Sequence, residues 1–198
     1  MDVLFNVAFF VGMVAQIVIR APYDRQRRKI EKTDQRVTAS EQAVLAVLTI
    51  GGLVLPLVYA LSPWLAFADY PGSPMAKAVL GGLGLAFLVA AIWVFWRAHH
   101  DLGAYWSPSL EIGADQHLVT QGVYGAIRHP MYASQLLMGI AQALLLQNWI
   151  AGAGGLVAFF LLYLVRVTKE EAMMLDHFGD EYRAYCARTG RIVPRASA

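Results

Sequence analysis

The stretch Arg128–Arg166, RHPMYASQLLMGIAQALLLQNWIAGAGGLVAFFLLYLVR, encloses 36 consecutive residues, Pro130–Val165, without one charged side chain. Crossing the hydrocarbon core of a bilayer takes roughly 20 apolar residues, with about 17 as a practical minimum. The run is therefore too long for one span and too short for two spans joined by a long loop. Gln147-Asn148-Trp149, near its middle, reads as a tight turn carrying an interfacial tryptophan. The stretch predicts a hairpin of two membrane-crossing helices, about 130–146 and 150–166.

Working outward, three more uncharged runs precede it: Val3–Ile19 (17 residues), Ala43–Phe67 (25) and Ala78–Trp96 (19). They predict spans of about 3–19, 43–62 and 78–96. With 58% hydrophobic and 15% charged residues, the 198-residue chain departs from soluble domains, in which about 25% of residues are charged. The expected fold class is an all-α integral membrane protein of about five transmembrane helices, with residues 1–198 forming one multi-pass unit. A soluble bundle with buried helices is the competing reading.

Basic residues set the orientation. Seven Lys/Arg lie in Arg20–Gln42, two in Arg97–His129 and six in Arg166–Ala198, against one, Lys77, in the remaining connections. Positive charge collects on the cytoplasmic side, so the N-terminus is expected outside and the C-terminus in the cytoplasm. The first run has neither a basic leader nor a small-residue cleavage motif and reads as a retained helix rather than a signal peptide. The single cysteine, Cys186, excludes an internal disulfide and provides no recognisable zinc-ligand set. A net charge of +2 gives no reason to expect nucleic-acid binding; the basic residues suit anionic head groups of the bilayer instead.

The connections differ in character. Segment 20–42 mixes both charge signs and reads as a solvated surface element, ending in Thr38 and Glu41, spaced as a capping box for the second span. Pro56 and Ser62-Pro63 are expected to kink or end that span. Gly81, Gly82 and Gly84 suit close helix approach in the third. Segment 97–135, broken by four glycines and two prolines, is the longest polar stretch and a candidate functional element. Near the C-terminus, Glu170, Met174, Phe178 and Tyr182 recur every four residues and share a helical face. Gly179 is expected to end one helix and Asp180 to cap the next, giving an amphipathic pair at the membrane surface.

A few residues could carry chemistry. Arg166 is the first charge after the long run, and Glu170 follows at the spacing of a helical pair. Arg166 reads either as a snorkelling exit charge or as a fork for the carboxylate of a lipid-anchored anion. His129-Pro130 opens the fourth helix, with proline where no backbone donor is needed. The free N–H groups at such an end favour an anion. Tyr124 and Tyr132 flank it and, taken alone, are ordinary interfacial tyrosines.

The elements His117-Leu-Val, Gly122-Val-Tyr, Arg128-His-Pro-x-Tyr, Arg166-x-x-x-Glu-Glu and Phe178-Gly-x-Glu-Tyr occur in one order across residues 97–194. In that order, around an apolar hairpin, the chain resembles the isoprenylcysteine carboxyl methyltransferase family, integral membrane enzymes related to the phospholipid N-methyltransferases. The first 96 residues resemble it mainly in hydropathy. The resemblance implies a site for S-adenosylmethionine, left as S-adenosylhomocysteine, outside any Rossmann fold. In such enzymes the cytoplasmic loop and C-terminal helices enclose it, and a lipophilic or prenylated substrate enters from the bilayer. Carried over by position, Glu111, Gln116, His117, Leu118, Val119, Tyr124, His129, Pro130, Met131, Tyr132 and Glu170 are implied as cofactor-binding residues. Arg166 is implied to hold the substrate, and it and Glu170 are the implied catalytic pair. The spacing after Phe178-Gly-Asp-Glu-Tyr departs from the animal enzymes and leaves Arg188 and Arg191 without a role.

Methyl transfer to a carboxylate needs no general base, because a carboxylate is already ionised near neutral pH. Alignment of the reacting groups can supply about 7–11 kcal/mol of the barrier. Methylation of a lipid amine stays open and would need a base such as His117, His129 or Glu170. A reductase acting on a sterol with a nicotinamide cofactor, and a membrane protein without activity, are the remaining readings.

Overall fold

The computed structural model describes residues 2–27, 32–35, 39–105, 111–113 and 117–195. Helix α1, Asp2–Arg27, is followed by a short strand β1, Lys32–Gln35, and by α2, Ala39–Thr49. A π-helical turn, Ile50–Val54, joins α2 to α3, Leu55–Leu61. Proline has no N–H to return to the carbonyl one turn back, and Pro56 at the second position of α3 coincides with this widened turn. The span then ends at Ser62, as the Ser62-Pro63 pair predicts. The capping box expected at Thr38 and Glu41 lies outside the described residues and side chains.

Helix α4, Pro74–Leu102, opens with proline in its first turn and with the Ser73 hydroxyl accepting from the Ala76 N–H at 3.2 Å. It runs one and a half turns past the predicted span before Gly103, at φ 60°, stops it. Strand β2, Glu111–Gly113, pairs antiparallel with β1. This ribbon joins segment 20–42 to the long loop.

Helices α5, Pro130–Leu146, and α6, Ala153–Arg188, form the predicted hairpin. Gln147 takes the left-handed conformation at φ 48° that reverses the chain. Fully buried Asn148 pins the turn, donating to the carbonyl of Leu65 at 2.7 Å and to Asp69 Oδ1 at 2.9 Å. It also accepts from the N–H groups of Ile150 and Ala151. Helix α6 differs from expectation in one respect. It continues without a break from the membrane span into the amphipathic segment, and its backbone first leaves helical angles at Gly179, φ 54°. Two helical segments therefore meet at Gly179, where the sequence predicts the first to end.

The core lies where α1, α4 and α5 meet, around Phe9, Ala91, Ala141 and Leu145. Glycine permits two of these contacts. Phe5 sits where a Cβ at Gly81 would stand, and Leu145 Cγ would lie 2.8 Å from one at Gly84; Gly82 faces open space. Among the described residues, three helices are long and apolar enough to cross a membrane: Val3–Gln26, Gln42–Leu61 and Pro74–Leu102. Only 11–28% of their most apolar windows is buried. Val3, Val7, Val11, Val14 and Val18 all face outward on α1. A soluble protein rarely leaves so large an apolar patch uncovered, which excludes the soluble bundle. The architecture is an all-α integral membrane fold.

Candidate functional site

The stretch Ala126–His129 does not enter α5 directly. It lies beside the chain's last described segment, with Ile127 and Gly190 forming a parallel bridge. Arg128 N–H donates to the Gly190 carbonyl and His129 N–H to that of Arg191, both at 2.9 Å. Gly190 N–H returns to the Ala126 carbonyl at 3.3 Å. This strap satisfies backbone groups that the turn before Pro130 would otherwise leave unpaired. It also fixes His129 as the residue preceding the helix, at φ −124° and ψ 61°, with no side chain capping the N-terminus of α5.

Two carboxylates of α6 converge on this turn. Tyr132 donates its hydroxyl to Glu170 Oε2 at 2.7 Å. His129 lies between the acids, with Nε2 3.2 Å from Glu171 Oε1 and Nδ1 3.7 Å from Glu170 Oε1. Glu171 is also met by Arg128 Nε at 2.7 Å and by Arg191 through Nε at 3.1 Å and Nη2 at 2.6 Å. Neighbouring residues on a helix point about 100° apart, so the two acids divide the work. Glu171 ties the strap to the turn, while Glu170 faces inward.

The charges follow from these contacts. Burial disfavours the ionised form of Glu171, but His129, Arg128 and Arg191 outweigh it and hold its carboxyl at about 2. Burial likewise opposes ionised Glu170, and His129, Tyr132 and the charge of Arg166 bring it below the usual range. For His129, burial favours the neutral ring, yet the two acids raise its pKa above the ordinary value. Burial pushes the hydroxyls of Tyr124, Tyr182 and Tyr185 upward, so they remain protonated donors.

Around this cluster opens a cavity of about 600 Å³, within the range of small-molecule sites. His117, Leu118, Val119, Tyr124, His129, Pro130, Met131 and Tyr132 line it, as do Arg166 and Glu170. Ten sequence-predicted residues thus meet on one cavity. Gln116 lies outside the described residues, and so does the side chain of Glu111, although its backbone belongs to β2. Tyr124 is placed by Asp101, whose Oδ2 accepts from the Val123 N–H at 2.8 Å, and by Tyr185, whose hydroxyl donates to the Tyr124 carbonyl at 2.7 Å.

Residues 83–176 match the profile of the isoprenylcysteine carboxyl methyltransferase family. That segment is similar to the isoprenylcysteine carboxyl methyltransferase family. A protein-S-isoprenylcysteine O-methyltransferase of Schizosaccharomyces pombe is 30% identical over 80 residues, 40% of this chain and 34% of that protein. The B form from Arabidopsis thaliana is 25% identical over 156 residues, covering 74% of this chain and 79% of its own. The chain spans about a third of the yeast relative and 30% of the one from Tribolium castaneum. The solved structure of a eukaryotic intramembrane Ras methyltransferase shares the fold, with a TM-score of 0.52 at 23% identity. The match covers 78% of this chain and half of that one.

The family motifs do not include everything the cavity uses. Met13, Gln16, Ile17, Arg20, Ala21 and Asp24 of α1 form one wall, and Leu45 and Leu48 of α2 another. Both lie before the matched segment. Gln16, Arg20 and Asp24 stand four residues apart, a one-face signal readable in the sequence. Arg191, without a role by spacing, is one of three partners of Glu171. Arg188 stands 5.9 Å from the Tyr185 ring centroid, on the outside.

Proposed function

We propose that the chain is a membrane methyltransferase that moves a methyl group from S-adenosylmethionine to the carboxylate of a lipophilic, prenylcysteine-like acceptor. The reaction would occur at the cytoplasmic face, with the N-terminus outside and residues 1–198 acting as one unit. The observation that carries the reading is the joining of two poles in one apolar cavity. Ionised Glu170, hydrogen-bonded to Tyr132, and cationic Arg166 both line it.

The residues present fit such a cofactor. The N-terminus of α5, uncapped by any side chain, favours a carboxylate. Glu170 keeps 32% side-chain exposure toward the cavity and suits an ammonium or ribose hydroxyls. Leu118, Val119 and Met131 offer apolar surface for a base. When bound, the cofactor supplies an electrophilic methyl on a sulfonium. Arg166, eight per cent exposed at the first charged position of α6, would hold the acceptor's carboxylate by its fork. Glu170 and the start of α5 would hold the donor in line with it. No side chain need take a proton, and alignment of donor and acceptor carries the step.

The state of His129 favours the carboxylate over an amine. Its ring nitrogens face two acids that outweigh burial and raise its pKa, which favours the protonated ring over the free base that deprotonating an ammonium needs. Glu170, held below the ordinary carboxylate range, is a poor base as well.

The test uses protein purified in detergent. Calorimetry is expected to register both S-adenosylmethionine and S-adenosylhomocysteine. Transfer of labelled methyl to a farnesylcysteine acceptor should give a product that releases methanol in alkali. No binding of either cofactor form overturns the reading, and an alkali-stable product identifies a lipid amine as the acceptor.

A further inference from the structure

Of the glutamines at membrane depth, Gln142 and Gln16 behave differently. A polar side chain there is costly and normally acts as glue between helices. Gln142 on α5 does so: its Nε2 donates to the carbonyls of Gly51, at 2.8 Å, and Ala151, at 2.7 Å. The first bond ties α5 to the π turn, whose opened backbone provides the acceptor. Gln16 on α1 does not. Its Nε2 is shut away from solvent, and among the described residues it has no hydrogen-bond partner. Yet the Gln16 side chain lines the cavity, between Met13 and Arg20.

Its depth can be read from the neighbouring charges. Arg20 is the first charge after the run Val3–Ile19, as Arg166 is after Pro130–Val165. Both therefore mark the cytoplasmic edge of the apolar zone, and both line the cavity. Gln16 precedes Arg20 by four residues, which is about 6 Å deeper along the helix. A molecule with its carboxylate at Arg166 and its lipid chain running into the bilayer passes this level, between α1 and the apolar side chains of Leu45, Leu48 and Leu162. The terminal torsion of glutamine is broad, so a rotation of the carboxamide turns its N–H groups into the cavity.

We propose that Gln16 is a specificity-determining residue that donates a hydrogen bond to an oxygen of the methyl acceptor close to its carboxylate. The acceptor is then a carboxylic acid bearing a carbonyl, such as an acylamino group, beside its lipid chain, and not a plain lipid acid. The inference rests on the carboxyl methyltransferase reading above. It goes beyond that reading because α1 lies outside the family-matched segment 83–176. A site that offers a buried donor rejects an analogue lacking the acceptor, because the donor is then left unpaired. Replacing the donor with an apolar group of similar size removes that penalty.

The experiment compares two acceptors, N-acetyl-S-farnesylcysteine and S-farnesylthiopropionic acid, which differ by the acylamino group. The wild-type chain and Gln16→Leu are both assayed in detergent. The wild type is expected to prefer the amide-bearing acceptor in kcat/KM by roughly tenfold to hundredfold. Gln16→Leu is expected to bring the ratio near one, by losing activity on that acceptor and gaining it on the thiopropionic acid. Its S-adenosylhomocysteine affinity and thermal midpoint should be equal to the wild type's, or the midpoint higher. A ratio near one in the wild type, or one unchanged in Gln16→Leu, overturns the role of Gln16 and leaves the parent reading standing. Methylation of neither acceptor by the wild type overturns the carboxylate reading, and this inference with it.

Discussion

Tyr132, in the first turn of α5, donates its hydroxyl to Glu170 on α6 across 2.7 Å, although 38 residues separate them. The bond exists because the hairpin returns both helices to the same membrane face. It orients Glu170 and helps keep it ionised in a site that burial would otherwise neutralise.

Removing that hydroxyl therefore has a defined consequence. Tyr132→Phe keeps the ring contacts to His129 and Tyr163, at centroid distances of 5.4 and 5.5 Å, and so keeps the packing. A hydrogen bond to a charged group contributes about 1.5–3 kcal/mol. S-Adenosylhomocysteine affinity in calorimetry is expected to fall about tenfold to hundredfold, and to fall further in Glu170→Gln. Wild-type affinity in Tyr132→Phe would show that the bond does not orient the ligand-holding acid.

The strap gives stability a pH window whose sign follows from the two shifts. Glu171, lowered to about 2 from an ordinary 4.5, contributes stability that is full above 4.5 and lost as pH falls toward 2. His129, raised above 6.5, contributes stability that is full below 6.5 and lost as pH rises through its folded value. The thermal midpoint in detergent is expected to be highest between these limits. Glu171→Gln should flatten the acid limb and His129→Gln the alkaline one. Glu171 is partly exposed, so solvent screening keeps its effect modest. An alkaline limb of unchanged slope in His129→Gln assigns that limb to other groups.

How much of this was legible beforehand depends on whether a feature is carried by composition or by rotation about a helix axis. The hairpin was legible, because 36 uncharged residues with a polar triplet at the centre admit few other arrangements. So was the meeting of His129, Tyr132 and Glu170, once the motifs and the hairpin placed them on one face. The α1 wall was legible only as the shared face of Gln16, Arg20 and Asp24, not as a wall of the site. One glutamine hardly changes the mean hydropathy of its run, and which side of α1 meets the cavity is decided by contacts such as Phe5 against Gly81 and Gly12 against Leu88. The same limit separates Glu170 from Glu171. They adjoin in sequence, and only the direction of α6 sends one to the cavity and the other to the strap.

Asn148 predicts a purely structural phenotype at the opposite membrane face. It makes four hydrogen bonds while fully buried, and Ala151 N–H would lose its partner in Asn148→Ala. The expected loss is about 2–3 kcal/mol, seen as a lower thermal midpoint, with unchanged cofactor affinity in the folded fraction. Weakened affinity with an unchanged midpoint would contradict this division between the two faces.

Asp101 separates a cap from an ion pair. Its Oδ2 accepts from Val123 N–H, while Oδ1 is 3.1 Å from Arg97 Nη2. Gly122, at φ 60°, brings the backbone so close that a side chain there would strike the carboxylate. The turn Gly122–Gly125 that carries Tyr124 into the cavity is thus hung from the end of α4. Asp101→Asn keeps an acceptor for Val123 but loses the charge; Asp101→Ala loses both. If the cap positions Tyr124, Asp101→Ala should weaken S-adenosylhomocysteine binding about tenfold, the value of one half-buried unpaired N–H at the lower end. Asp101→Asn should remain within about threefold of the wild type, since its loss is limited to a partly exposed ion pair. Equal losses in the two variants would assign the effect to Arg97. Holding Gly122→Ala to the same assay checks the geometry independently: strain at a positive φ and the clash with Asp101 should lower affinity at least as far as Asp101→Ala does.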